Sequence, residues 1–193
     1  MMYEEKLSTQ TGSLGEAMRC YRRMQLPGID ILCDAREYTT AKQAQSVARQ
    51  YGRCGVISET YGVTNWTFTF AGHKGSGDWQ AALGVNVRCP HLAWYSMAGE
   101  AKRDYPAAIS YQSPWYRDYP LVEDHFARVH YALSRGTAAV RVAVLHPIES
   151  FWLAYGPNDT SLASGEMEAQ FEELTRWLCH GLVDFDFLSE SLL

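Results

Sequence analysis

At 193 residues, with 47% of them hydrophobic and 20% charged, the chain can bury a core of one or two domains, which excludes the disordered and fibrous classes. Its 22 acidic against 17 basic residues leave a net charge of −5, and the basic residues are dispersed along the chain, so a polar or neutral small molecule is expected as partner and nucleic acid is not. There is no basic leader followed by an apolar segment and no run of about 18 apolar residues, so neither a signal peptide nor a membrane span is predicted.

Ser13 to Met24 has helical spacing, with Leu14, Met18 and Tyr21 on one side. Leu26-Pro27-Gly28 stops it before Ile29-Asp30-Ile31-Leu32, a predicted buried strand. Thr39 and Thr40 can cap a helix from Ala41 to Tyr51 that turns Ala44, Val47 and Ala48 inward, and Gly52 ends it ahead of a strand over Val56-Ile57-Ser58-Glu59. Gly77-Asp78 opens a third helix through Trp79, Ala82 and Leu83, Gly84 closes it, and Asn86 to Trp94 reads as a third strand. Helices alternating with short buried strands predict parallel strands joined by crossovers. The long aromatic-rich stretch after Met97 is of a kind that often carries function. An amphipathic helix from Leu121 to Ser134 leads through Gly136 to a strand over Val140 to Pro147, and a helix from Glu166 to His180 leads to a strand over Val183 to Phe187. This strand, helix, strand order opens a second α/β unit, without a glycine-rich phosphate loop after the Val140 strand. The unit boundary is predicted between residues 117 and 118, giving domains 1–117 and 118–193. Cys20, Cys33, Cys54, Cys89 and Cys179 are odd in number and widely spaced, which predicts reduced thiols in a cytoplasmic protein.

Several segments together resemble bacterial glycoside hydrolases of the β-galactosidase-like and α-L-rhamnosidase-like kind. They are Pro27-Gly28-Ile29-Asp30, Ala41-Lys42-Gln43, Ser46-Val47-Ala48, Ser58-Glu59-Thr60-Tyr61-Gly62, Gly77-Asp78-Trp79-Gln80, His91-Leu92-Ala93-Trp94-Tyr95 and Lys102-Arg103-Asp104-Tyr105-Pro106. The resemblance implies an α/β fold whose first domain is the C-terminal part of a (β/α)8 barrel, its last three strand-helix units. The second domain would begin a flavodoxin-like unit related to a trimerisation domain. It also implies hydrolysis of a terminal glycosidic bond in a carbohydrate, without a cofactor. Glu59, at the end of the seventh barrel strand, is then the nucleophile of a retaining enzyme or the general base of an inverting one. A complete barrel takes about 250 residues. The resemblance therefore implies a fragment whose acid carboxylate, on the fourth strand, lies before Met1. Such a chain is expected to be inactive alone and, with open strand edges, to form homo-oligomers.

Glycosidic cleavage needs one carboxyl to protonate the leaving oxygen and another to attack or to activate water. Asp30, Asp34, Glu37, Asp78 and Asp104 are the candidates for the second carboxyl. Asp30 inside an apolar strand and Asp78 at an expected helix N-cap have structural readings that outweigh catalytic ones. Substrate binding needs flat apolar faces with a few polar groups, which Trp66, His91, Trp94, Tyr95 and Trp115 can supply, together with Lys102, Arg103 and Asp104. Trp94 and His91 are equally at home in a core, and Lys102 and Arg103 in loop ion pairs. Cys89, His91 and His73 do not have metal-ligand spacing, so no metal is expected. A non-catalytic carbohydrate-binding or assembly module is the alternative to an enzyme, and the second carboxylate decides between them.

Overall fold

The computed structural model describes residues 5–32, 35–103, 108–156 and 162–192. In chain order the elements are α1 (Leu7–Ser13), α2 (Ala17–Tyr21), β1 (Gly28–Leu32), α3 (Tyr38–Gln50), β2 (Val56–Gly62), α4 (Phe70–Ala82), β3 (Val85–Pro90), α5 (Pro120–Leu133), β4 (Val142–Leu145), α6 (Ile148–Ala154), α7 (Leu162–His180) and β5 (Phe185–Leu188). β1, β2 and β3 form a parallel sheet in that order, and β4 pairs with β5 in a second, two-stranded parallel sheet. The protein is thus of mixed α/β class. Among the described residues, no helix is long and apolar enough to cross a membrane, and Cys20, Cys54, Cys89 and Cys179 are free thiols.

Some boundaries depart from the sequence pattern for local reasons. The helix expected over 13–24 is two short helices, because Gly15 takes a φ of 87° and Glu16 starts a new helix, its carboxylate accepting from the N–H groups of Met18 and Arg19. α4 begins at Phe70 rather than at Gly77, capped by Thr69, whose Oγ1 accepts from Gly72 N. Asp78 is therefore not an N-cap. It sits within α4, paired with Lys74 Nζ at 2.5 Å and with His125 Nε2 at 2.6 Å. Gly77 is open space for Phe126 of α5, since a Cβ there would lie 2.2 Å from the ring. Arg88 of β3 completes that junction, bonded to Glu123 at 2.7 Å and stacked 4.0 Å over Phe126. α5 consequently packs on α4 and β3, alongside the first sheet.

α3 lies between the two sheets and is buried from Thr39 through Ala48. Its small apolar residues Ala41, Ala44, Val47 and Ala48 share one cluster with Ile29, Ile31, Val56 and Val85 of the first sheet and with Phe185 and Phe187 of β5. Phe151 and Phe171 extend it from α6 and α7, each of these aromatics contributing roughly 1.5–3 kcal/mol by burial. Lys42, Ser46, Arg49 and Gln50 recur at helical spacing and form a polar stripe facing β5. Ser46 Oγ accepts from Phe187 N at 2.9 Å and donates to Lys42 O, and Gln50 Nε2 donates to Phe187 O at 2.8 Å. Lys42 Nζ pairs with Asp184 at 2.9 Å, and Arg49 pairs with Asp184 and Asp186, each at 3.0 Å. Helix side chains thus satisfy the free edge of β5, which would otherwise be an unpaired strand edge.

A second polar network seals the other side of α3. Gln43 Nε2 lies 2.9 Å from His146 Nε2, Gln10 Nε2 donates to Gln43 Oε1 at 3.0 Å, and Gln10 Oε1 accepts from Ala17 N. His146 Nδ1 is 3.3 Å from Glu16 Oε1 but lacks hydrogen-bond alignment, and both side chains are fully buried. Burial, reinforced by Arg19, pushes the His146 imidazole down to about 3, while burial pushes the Glu16 carboxyl up.

Two predictions follow from this packing. Ser46→Ala leaves the Phe187 N–H buried and unpaired, and is expected to lower unfolding free energy by about 1–3 kcal/mol in urea titrations. For His146, the folded state disfavours the proton, so its contribution is complete above the unfolded value of 6.5 and is lost as pH falls towards about 3. Stability should fall between pH 6.5 and pH 5 with a slope approaching 1.4 kcal/mol per pH unit, and His146→Gln should flatten that slope. Equal slopes in the two proteins would contradict the neutral, buried imidazole.

Candidate active site

Strand alternation sorts the first sheet into two faces. Ile29, Ile31, Ser58 and Thr60 are fully buried beneath the helices, while Asp30, Glu59 and Cys89 turn to the opposite, open face. Parallel register places these three side by side, Asp30 opposite Glu59 and Glu59 opposite Cys89, and the half-buried Ile57 opposite the exposed Val87 lies one step below. His91 follows β3 directly, its N–H bonded to Thr60 O at 3.0 Å, and its Nε2 reaches to 3.7 Å from Glu59 Oε1. Asp30, Glu59 and His91 therefore form one titratable group on the open face. Glu59 itself lies within the paired part of β2 rather than beyond its end.

The backbone bends around this group. Asp30 pairs with Glu59 and Leu32 with Gly62, so β2 carries one more residue than β1 between the two pairs, a bulge of the kind that re-aims side chains. Tyr61 and Val63 take left-handed φ values of 70° and 60°, uncommon for non-glycine residues. Tyr61 is held there by burial and by its hydroxyl donating to His73 O at 3.3 Å. Gly62 lets the backbone pass close to Leu32, since a Cβ would lie 3.0 Å from Leu32 Cδ2, and the Asp30 carboxyl is the next neighbour, Oδ1 at 3.8 Å from that position.

Asp30 Oδ1 and His91 Nδ1 are out of solvent contact and have no hydrogen-bond partner among the described residues. Burial first, and the neighbouring Glu59 carboxylate second, hold the Asp30 carboxyl above the usual carboxylate range, while His91 pulls it the other way. Asp30 thus holds its proton more readily than an ordinary aspartate, beside a second carboxyl, and a pair of carboxyls in unlike environments is what acid-base chemistry uses.

The remaining sequence candidates fall in different places. Trp66, after β2, and Tyr95, after β3, expose their rings, Tyr95 completely. Trp94 is buried, with its carbonyl accepting from Gln112 Nε2. Trp115 is half-buried and packs edge-on to Phe70 at 5.5 Å, beside Tyr119 and His73. That aromatic cluster also holds His73 away from the Cys89 and His91 group, with its Nδ1 2.8 Å from Thr69 O. Arg103 is solvent-exposed and paired with Glu100 at 3.0 Å. Glu37 precedes α3 and accepts from Thr40 Oγ1. Asp34, Asp104 and the Lys102 side chain lie outside the described residues. Among the described residues, no group of three or more His, Cys, Asp or Glu is placed to hold a metal ion.

The pairing of Asp30 with Glu59 was the part of this site that the apolar context of Asp30 concealed. Period-two alternation of Ile29, Asp30 and Ile31 held the signal, because it turns Asp30 away from its apolar neighbours. No protein-family model, curated protein or solved structure matches this chain.

A carboxyl whose folded-state pKa is raised contributes stability below its unfolded value and loses it as pH rises through the raised one. Asp30→Asn is accordingly expected to raise the thermal midpoint at pH 7, reflecting a gain in unfolding free energy of less than about 1 kcal/mol given the partial exposure of Asp30, and not at pH 3. Melts at the two pH values check this, and destabilisation at pH 7 would contradict the strained placement of the charge.

Proposed function

We propose that this protein hydrolyses a glycosidic bond, with Glu59 and Asp30 as the reacting carboxyl pair. The observation that carries the reading is the in-register placement of Asp30 beside Glu59 on the open face, with Asp30 biased towards its protonated form. Asp30 donates its proton to the leaving oxygen while Glu59 attacks the anomeric carbon, and Asp30 then accepts a proton from the water that releases the sugar. A retaining mechanism of this kind places the two carboxyls roughly 5 Å apart, and an inverting one, with Glu59 as general base, roughly 6.5–9.5 Å apart. His91 Nε2 stands 3.7 Å from Glu59 Oε1, beside the carboxylate but without a hydrogen bond to it.

The same arrangement supports the family reading. Strands ordered β1, β2, β3 with α3 and α4 contributing to one core on the same face are what consecutive units of a β-galactosidase-like or α-L-rhamnosidase-like barrel require. β4, α7 and β5 then stand as the start of a flavodoxin-like unit. The open face, with Ile57 and Val87 beside the carboxyls, suits either the remaining strands of a barrel or self-association. A second reading, carbohydrate binding without hydrolysis, is favoured by the exposed rings of Trp66 and Tyr95, which offer apolar faces to sugar C–H groups.

Hydrolysis of a panel of nitrophenyl glycosides tests the proposal. With Asp30 serving as the acid in place of the fourth-strand carboxylate that the family resemblance implies, turnover is expected from this chain alone, against the inactivity that the resemblance implies, and it should fall by at least about a hundredfold in Glu59→Gln. Asp30→Asn should impair poor leaving groups more than nitrophenol, which departs with less help from an acid. Turnover unchanged in Glu59→Gln would overturn the assignment, and sugar-induced thermal stabilisation without turnover would select the binding reading.

A further inference from the structure

The basic residues dispersed in sequence converge at one place in the fold. Arg22 and Arg23 follow α2 on the way into β1, and Tyr51 and Arg53 follow α3 on the way into β2. These four residues line a cavity of about 350 Å³ at the end of the sheet where the strands begin, away from the Asp30 and Glu59 group. Gly52, with a φ of 60°, makes the tight turn that sets Arg53 next to Tyr51.

None of the three guanidinium groups has an acidic partner among the described residues, a condition they share with Arg36, Arg117, Arg128, Arg135, Arg141 and Arg176; what distinguishes them is that they line one cavity together. Arg22 and Arg23 make no side-chain hydrogen bond among those residues either. Arg53 uses one Nη2 hydrogen on Arg22 O, 3.1 Å away, and lies 5.9 Å over the Tyr51 ring, and its Nε is buried without a partner. That bond holds the Arg53 fork in place while leaving further donors free. α2 and α3 are capped at their C-terminal ends by Arg22 and Tyr51, so their C-terminal dipoles offset part of this positive charge, while only Arg22 O receives a side-chain bond from the three residues. Three guanidinium groups around one cavity, without counter-charge among the described residues, repel one another, and an anion between them would relieve that repulsion.

We propose that this cavity binds a small phosphate- or sulfate-bearing molecule. Planar guanidinium forks match tetrahedral oxyanions through paired N–H donors. The Tyr51 ring, 39% exposed, offers a flat wall for the body that carries the anion, such as a sugar ring. A concave site of this volume takes a monosaccharide-sized ligand, and the net charge of −5 disfavours a long polyanion.

Isothermal titration with glucose 6-phosphate, glucose 6-sulfate and glucose, at constant ionic strength, tests the site. Heat is expected with one or both charged sugars and none with glucose; the two charged arms identify which ester is preferred. Affinity should fall with added sodium chloride and drop at least about tenfold in Arg23→Gln, the loss of one charge-assisted contact. Arg53→Gln should weaken binding further, and if it unfolds by releasing Arg22 O, the solvent-exposed Arg23→Gln carries the test alone. No heat with either ester, equal affinity in wild type and Arg23→Gln, or binding of a single-stranded oligonucleotide in preference to both esters would overturn the proposal.

Discussion

The burial of α3 between two sheets is the constraint on which the rest of the structure depends. A helix buried on all sides is normally apolar all round, yet α3 carries Lys42, Gln43, Gln45 and Ser46 in its buried length. These residues are tolerated because each meets a partner. Lys42 is paired with Asp184, Gln43 with His146 and Gln10, and Ser46 with Phe187 N. Desolvation lowers the Lys42 ammonium from its ordinary value, and Asp184 restores part of the loss. Such a buried pair adds little net stability over an apolar substitute, but breaking it leaves an uncompensated charge. Its consequence is registration, since β5 can dock on α3 in only one position without stranding a polar group.

With α3 fixed, the first sheet has one covered face and one open face. Ile29, Ile31 and Val56 join the α3 core, and alternation then leaves Asp30 and Glu59 no direction but outward. The site is thus a by-product of which face the helix covers, refined by the bulge and by the left-handed Tyr61 that bring Gly62 near Asp30. The two ends of the strands differ in electrostatic character. Carboxyl groups and His91 occupy the open face towards the C-terminal ends, and unpaired arginines gather where β1 and β2 begin. The acidic net charge conceals that division.

Elements with strong local signals were legible in the amino-acid sequence. β1, α3, β2 and α5 are all announced by apolar runs or helical spacing and lie within a few residues of where the pattern puts them. The short helices were not. α1 and α6 have seven residues each and depend on tertiary contacts, such as Ile148 and Phe151 in the shared core, rather than on propensity. The start of α4 was hidden because its early turns carry Gly72 and Gly75, which read as loop, whereas Thr69 and packing against α5 hold them helical. Glu59 stood out because a carboxylate ends an apolar run. Its coupling to Asp30 depends on strand register, and the convergence of Arg22, Arg23 and Arg53 depends on two connections meeting at one sheet edge. Neither is a property of neighbouring residues.

The central claim is that the fold makes Asp30 and Glu59 one electrostatically coupled pair. The most direct measurement is a carbon-13 NMR titration of the Asp30 side-chain carboxyl in the wild-type chain and in Glu59→Gln. A midpoint above 3.8, moving down when Glu59 loses its charge, is the predicted result. A midpoint at the ordinary aspartate value, unmoved by Glu59→Gln, would contradict the account and remove the chemical basis for a carboxyl-pair site.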